Sequence, residues 1–130
     1  MRRIFLLLAL AVITATALAQ RLTEQQAKER AASFMKSKHG TALAKGAATS
    51  AAGLKTVSLG IDGIYLFNVD GGGYVVAGGD ARVAPVLGYG DNGTLSANDI
   101  PANMKSWLVG YARQVAFAAE HNLDFTARTA

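Results

Sequence analysis

The sequence predicts an α+β fold from three features. A capped helical segment lies near the amino end, a glycine-punctuated set of short apolar strands follows, and a long amphipathic segment lies near the carboxyl end. The expected architecture is a small antiparallel sheet of about four strands packed against an N-terminal and a C-terminal α-helix. Both helices are expected on one face of the sheet, which shields their apolar stripes and a one-sided sheet from water together. The 130 residues allow one domain. Cysteine is absent, which excludes a disulfide framework, a thiolate nucleophile, a cysteine-ligated metal and lipidation at an N-terminal cysteine.

The first nineteen residues read as a secretory signal peptide. Arg2 and Arg3 precede an unbroken apolar run from Ile4 to Ile13, and small residues lead to Ala17-Leu18-Ala19. That pattern places cleavage after Ala19. The apolar run is about half the roughly 20 residues of a membrane-spanning helix. The expected domain is 20–130, exported to the periplasm or the cell exterior, with no stable membrane association after cleavage. Removing Arg2 and Arg3 leaves eleven of the thirteen Lys and Arg against nine Asp and Glu, so the net charge falls from +4 to +2. The remaining basic residues are scattered, and no stripe is left to neutralise a nucleic-acid backbone.

The N-terminal helix is expected over Thr23–His39. Thr23 and Gln26 have capping-box spacing, and Leu22 with Ala27 suits a hydrophobic staple. Ala27, Ala31, Phe34 and Met35 mark one face. Lys36 and Lys38 suit the negative end of the helix dipole, and Gly40 suits the position beyond the last turn. Thr41–Gly53 is rich in alanine and poor in apolar bulk, so a flexible connection is expected there. Leu54, Val57 and Leu59 suggest a first strand. Ile64–Val69 is β-branched and aromatic, and Asp70–Gly73 turns it back into Tyr74–Ala77 as a hairpin. Gly78-Gly79-Asp80 turns the chain again. Pro85–Tyr89 is a fourth strand, and Asp91-Asn92-Gly93 ends it. Eleven of the fourteen glycines lie between Gly53 and Gly93, which marks the corners of a meander. The last helix is expected from an Asp99 N-cap, with Pro101 in its first turn. Met104, Leu108, Tyr111, Val115 and Ala118 form its apolar stripe, with Trp107 beside it. Asn122 suits its end, and Leu123–Ala130 reads as an unstructured tail.

The residues of enzymatic chemistry do not assemble in this pattern. His39 and His121 fall at predicted helix ends without metal-ligand spacing. No Gly-x-Ser-x-Gly elbow is present. Asp70–Gly73 joins two strands, whereas a P-loop enters a helix and carries Lys-Ser/Thr. The Asp91 loop has Ala102 where a calcium loop needs its twelfth-position Glu. Asp62, Asp70, Asp80 and Asp91 all sit at turns, and Asp80 with Arg82 reads as a local structural pair. A non-enzymatic chain without cofactor or metal is expected.

The stretch from Tyr65 to Tyr89 carries a resemblance. Its order is an aromatic strand with Asn68, a glycine turn, Tyr74-Val75-Val76, Gly79-Asp80-Ala81-Arg82, then Pro85-Val86-Leu87-Gly88-Tyr89. It resembles the propeptide domain of streptopain-type secreted cysteine proteases and the related Spi inhibitors. The similarity extends to Ala31 and Phe34, and to Asn103, Ser106-Trp107, Tyr111 and Gln114-Val115. Gly78 departs from a Ser common at that place, a minor change for the turn. The resemblance implies an α+β domain that covers the active-site cleft of a papain-like protease. It implies a structural turn motif of Gly79, Asp80, Arg82, Pro85, Gly88 and Tyr89. It also implies a contact segment entering the last helix, Ser96–Met104, with Ile100, Asn103, Met104 and Trp107 as cleft contacts. Asn103 both donates and accepts hydrogen bonds and stands where resembling prodomains carry Asn; an exposed first-turn residue without partner is the other reading. Trp107 is either a partner anchor or core packing beside Leu108 and Tyr111. Tyr65, Phe67, Tyr74 and Tyr89 read as sheet-face packing residues.

The expected function is inhibition of a streptopain-like cysteine protease by a chain that is a monomer when free. In the resembling zymogens the protease follows this domain, whereas this sequence stops at Ala130 and carries no catalytic Cys. The alternatives are the propeptide portion of a truncated zymogen, and an exported binding domain for another ligand.

Overall fold

A computed structural model describes residues 20–37 and 46–126. The leader expected over 1–19, the helix end expected at Lys38–Gly40 and the connection over 41–45 lie outside the described residues. Helix α1 spans Glu24–Ser37. The capping box forms as expected: Thr23 N–H donates to Gln26 Oε1 at 2.9 Å and Gln26 N–H to Thr23 Oγ1 at 3.2 Å. Two single 3-10 turns follow, Ala47–Thr49 and Ala51–Gly53. This part of the expected flexible connection is instead packed, with Ala48 fully buried in the α1 core. A small side chain suffices to close that core, so a search for apolar bulk misses it.

Strands β1 (Leu54–Val57), β2 (Ile64–Val69), β3 (Tyr74–Gly78) and β4 (Val86–Gly90) form an antiparallel meander in sequential order. Leu59 lies past the end of β1 but packs into a core. The β2–β3 hairpin pairs Phe67 with Val75 and Leu66 with Val76. Its turn needs glycine: Gly71, Gly72 and Gly73 have φ of 89°, 122° and 96°.

The two helices cover opposite faces of the sheet, which corrects the one-face expectation. Helix α1 packs with Leu54, Phe67, Val69, Val75, Ala77 and Val86. Helix α2 (Ala102–His121) packs with Ile64, Leu66, Val76 and Val83. Because adjacent residues of a strand point to opposite faces, the consecutive apolar residues of Ile64–Phe67 in β2 and Tyr74–Ala77 in β3 demand a cover on both sides.

Helix α2 starts at Pro101 with no side-chain cap. Asp99 is not its N-cap; Asp99 N–H donates to Ser96 O in the preceding turn. Asn122 ends the helix in the left-handed region, φ 50°. The tail is not wholly loose: Phe125 N–H donates to Arg82 O at 2.8 Å, and Phe125 packs on the α2 core.

The corner after β3 joins these layers. Asp80 is 2% exposed and is the buried charged residue of the described domain. Arg82 grips it with Nε on Oδ1 and Nη2 on Oδ2, both at 2.8 Å, and Arg82 N–H adds a third bond at 2.9 Å. Arg82 Nη1 reaches Ala119 O and Asn122 Oδ1 at the end of α2. Arg30 of α1 donates to the carbonyls of Asp80, Ala81 and Val83. Leu22 N–H donates to Gly79 O, and Ala81 N–H to Gln20 O. Burial disfavours the charged Asp80 carboxylate, but the Arg82 hydrogen bonds and the Arg82 and Arg21 charges outweigh it, and its pKa lies below the ordinary Asp value.

Asp80→Asn leaves the Arg82 guanidinium without its anion and is expected to lower stability by about 3 kcal/mol at pH 7. A folded pKa below the unfolded one means that the ionised Asp80 stabilises above the unfolded value of about 3.9. That contribution is lost as pH falls through the folded value. Urea denaturation at neutral pH and at successively lower pH should show the wild-type advantage over D80N shrinking with acid; a gap independent of pH would contradict this role.

Candidate inhibitory surface

The four expected contact residues separate into two pairs. Helical periodicity turns Met104 onto the sheet, where it is 7% exposed and belongs to the core. Ile100 is half-buried beside Leu59 and Ile61. Met104 and Ile100 therefore support the surface from below rather than offer free contacts. Asn103 is exposed on the first turn of α2. One turn on, Trp107 is 61% exposed, which excludes the core-packing reading.

Trp107 stands between two shallow depressions. One is lined by Ser106, Trp107, Gly110, Tyr111 and Gln114. The other lies toward β3 and β4, between Trp107, Tyr111, Tyr74 and Gly88. Neither lining contains a Lys, Arg, His, Asp or Glu. The surface thus offers aromatic rings and amides, a composition suited to an interface anchor and without a general acid–base pair. Among the described residues no group of His, Asp and Glu is placed to hold a metal ion.

Two strand residues and one turn residue set the position of this surface. Gly88 of β4 lets Tyr111 lie close: a Cβ on Gly88 would stand 3.2 Å from the Tyr111 hydroxyl. Asn68 of β2 holds the segment that leads into α2. Its Nδ2 donates to Leu95 O at 2.7 Å, and its Oδ1 accepts from Leu95 N–H at 2.9 Å. Gly73 N–H adds a bond to Gly93 O. The sequence offered one signal for Asn68, a polar residue inside the β2 apolar run, but no hint of its partner. The remaining turn-motif residues act in the corner. A Cβ on Gly79 would stand 2.8 Å from Gly63 O, and Pro85 O accepts from Gly78 N–H. Gly78 is equally constrained: a Cβ there would meet Val83 Cγ2 at 2.5 Å and Ala84 O at 2.7 Å. A side chain at this place would meet both atoms, so the Gly78 departure expected to be minor matters to the packing of this corner. Tyr89 is half-buried and packs against the α1 core.

An accessible aromatic surface that rides on one helix has the make-up of a protein-binding face. The comparison with known families makes this specific. The chain belongs to the Spi protease inhibitor family, whose model matches residues 19–115. The matched domain is a protease inhibitor or propeptide domain. It is 31% identical over 98 residues to streptopain of Streptococcus pyogenes, and equally to streptopain of S. pyogenes serotype M1. The match covers 71% of this chain and 24% of each relative, so the chain spans about a quarter of their length. The matched region includes the Asp80–Arg82 corner and the surface around Asn103 and Trp107.

Asn68→Ala removes both bonds that hold Leu95. It should cost about 1–3 kcal/mol at the two hydrogen bonds' typical magnitude. Amide hydrogen exchange should rise at Leu95 first; unchanged protection there would show that the segment is held by other means.

Proposed function

We propose that this domain inhibits a streptopain-like, papain-fold cysteine protease by covering its active-site cleft with the first half of α2. The observation that carries this reading is the exposed Asn103–Trp107 pair, on an uncharged helix face within the region matched to the Spi family. Trp107 is the anchor, seated in a partner pocket. The Asn103 amide bonds the thiolate–imidazole region and holds it in an unproductive arrangement. Met104 and Ile100 fix the helix start by packing under it. The leader pattern of residues 1–19 supports action outside the cytoplasm, in the periplasm or beyond the cell, without stable membrane association. The inhibiting unit is one chain on one protease.

A second reading, the propeptide portion of a zymogen, is favoured by the streptopain match itself, which occupies 24% of that protein. The coding sequence following codon 130 distinguishes the two: a stop followed by a separate protease gene supports the inhibitor, and an in-frame protease region supports the propeptide.

Titration of residues 20–130 against a streptopain-like protease should abolish activity at stoichiometric amounts. Full activity at micromolar excess would overturn the inhibitory reading and favour a domain for another ligand. Asn103→Ala should weaken inhibition roughly 10-fold or more, as loss of a hydrogen bond to a charged partner does. Trp107→Ala should weaken it roughly 30-fold or more if Trp107 is a hot spot. Both side chains are exposed, so the melting temperature should not move; equal potency of either variant would remove that residue from the interface.

A further inference from the structure

Helix α2 carries two stripes. Met104, Leu108, Tyr111, Val115 and Ala118 face the sheet. A second stripe, Asn103, Trp107, Gly110, Gln114, Phe117 and His121, recurs at intervals of four, three, four, three and four on the solvent side. This is the spacing with which one helix packs along another. Trp107 and Phe117 are 61% and 49% exposed, and the Phe117 ring lies against His121 with centroids 4.3 Å apart. Phe117 and His121 fall beyond the residues matched by the family model.

Gly110, near the middle of the stripe, has no reason inside the chain to be glycine. Nothing stands within 4 Å of where its Cβ would be, and its φ is not in the left-handed region. Glycine is a poor helix former, and its use here suits close approach by a body outside the chain. The order of the stripe identifies that body. About the level of residue 112, reversal brings complementary residues together: aromatic Trp107 meets aromatic Phe117, small Gly110 meets long Gln114, and polar Asn103 meets polar His121. A patch that matches itself when reversed is what a two-fold dimer requires.

We infer that free chains pair through α2 as an antiparallel, two-fold dimer. Trp107 of one copy lies on Phe117 of the other, Gln114 lies over Gly110, and Asn103 bonds His121. From Asn103 to His121 the seam runs about 27 Å at 1.5 Å per residue. A single helix pair of that length covers less than the roughly 1,600 Å² of a standard stable interface. Arg113 flanks the seam near the axis and faces its own copy, a further brake. The dimer is therefore weak and exchanges readily. Asn103 and Trp107 would serve both surfaces, so dimer and protease complex exclude one another; that clause rests on the inhibitor reading, and the dimer itself does not.

Sedimentation equilibrium of residues 20–130, which hold every described element, should show the mass rising toward twice the monomer between about 10 µM and 1 mM, the range of a weak complex. A monomer mass throughout overturns the proposal. Phe117→Glu should remain monomeric over the same range with an unchanged circular dichroism spectrum and unchanged protease inhibition. Register is tested in the otherwise cysteine-free chain. A mixture of Gly110→Cys and Gln114→Cys proteins should form the mixed disulfide, because these positions meet across the seam. Each protein alone should form little, its own copies being offset along the axis beyond disulfide reach. Equal cross-linking of each variant with itself overturns the register. Failure of every form to inhibit any protease would sink the inhibitor reading and leave the sedimentation result standing.

Discussion

The Asp80–Arg82 pair is the constraint on which the other layers rest. The corner that carries it receives the chain's first described residues through Gly79 O and Ala81 N–H, α1 through Arg30, and the end of α2 through Arg82. Two helices on opposite faces of a sheet have few ways to be fixed relative to one another, because the sheet lies between them. Here the link passes around the sheet end, through guanidinium groups that each satisfy more than one acceptor. An arginine suits this task better than a lysine, since its planar fork donates to several oxygens at once. Asp80 makes the arrangement possible: it supplies the negative charge among Arg21, Arg30 and Arg82, and its burial is tolerated because Arg82 occupies both of its oxygens.

Local features of the sequence carried over well to the structure. The capping box at Thr23, the glycine turn at 71–73 and the Asn122 end of α2 each depend on residues a few positions apart, and each appears where the pattern places it. Features that depend on distant partners did not carry over. Tyr65 and Phe67 mark one face of β2, Ile64 and Leu66 the other, and a two-sided cover was readable from that run. Only a sheet apolar on one face would gather both helices on that face, and β2 is apolar on both. Ala48 shows the other failure: burial of a small residue leaves no trace in apolar bulk. The start of α2 shows a third, since Asp99 is a good capping residue but the helix begins only after Pro101, two residues further on.

The corner and the surface are mechanically connected through α2. Arg82 holds its carboxyl end, and Asn68 holds the segment that feeds its amino end. Between them Gly88 sets how closely the helix approaches β4, by leaving room for Tyr111. Trp107 therefore projects from a helix that is fixed at both ends and in height. A side chain presented from such a frame loses less freedom on binding than one on a loose loop, and the Spi family match includes Arg82, Asn68, Gly88 and the surface around Trp107.

The same geometry bears on how a protein could occupy a protease cleft without being cleaved. Strand-like peptides bind through extended main chain, with their backbone N–H and C=O groups free to pair with the partner. The segment expected as an inserting loop, Ser96–Met104, instead ends within the helix, and Lys105 N–H is already bonded to Pro101 O. From Lys105 onward the backbone N–H groups of α2 are satisfied within the helix, and an extended conformation there requires breaking the helix and stripping Met104 and Leu108 from the core. In the proposed complex the cleft meets side chains on an intact helix, not an extended peptide. Resistance to cleavage then follows from the burial of Met104 and Leu108, so the half of the helix that touches no protease is the half that protects the other.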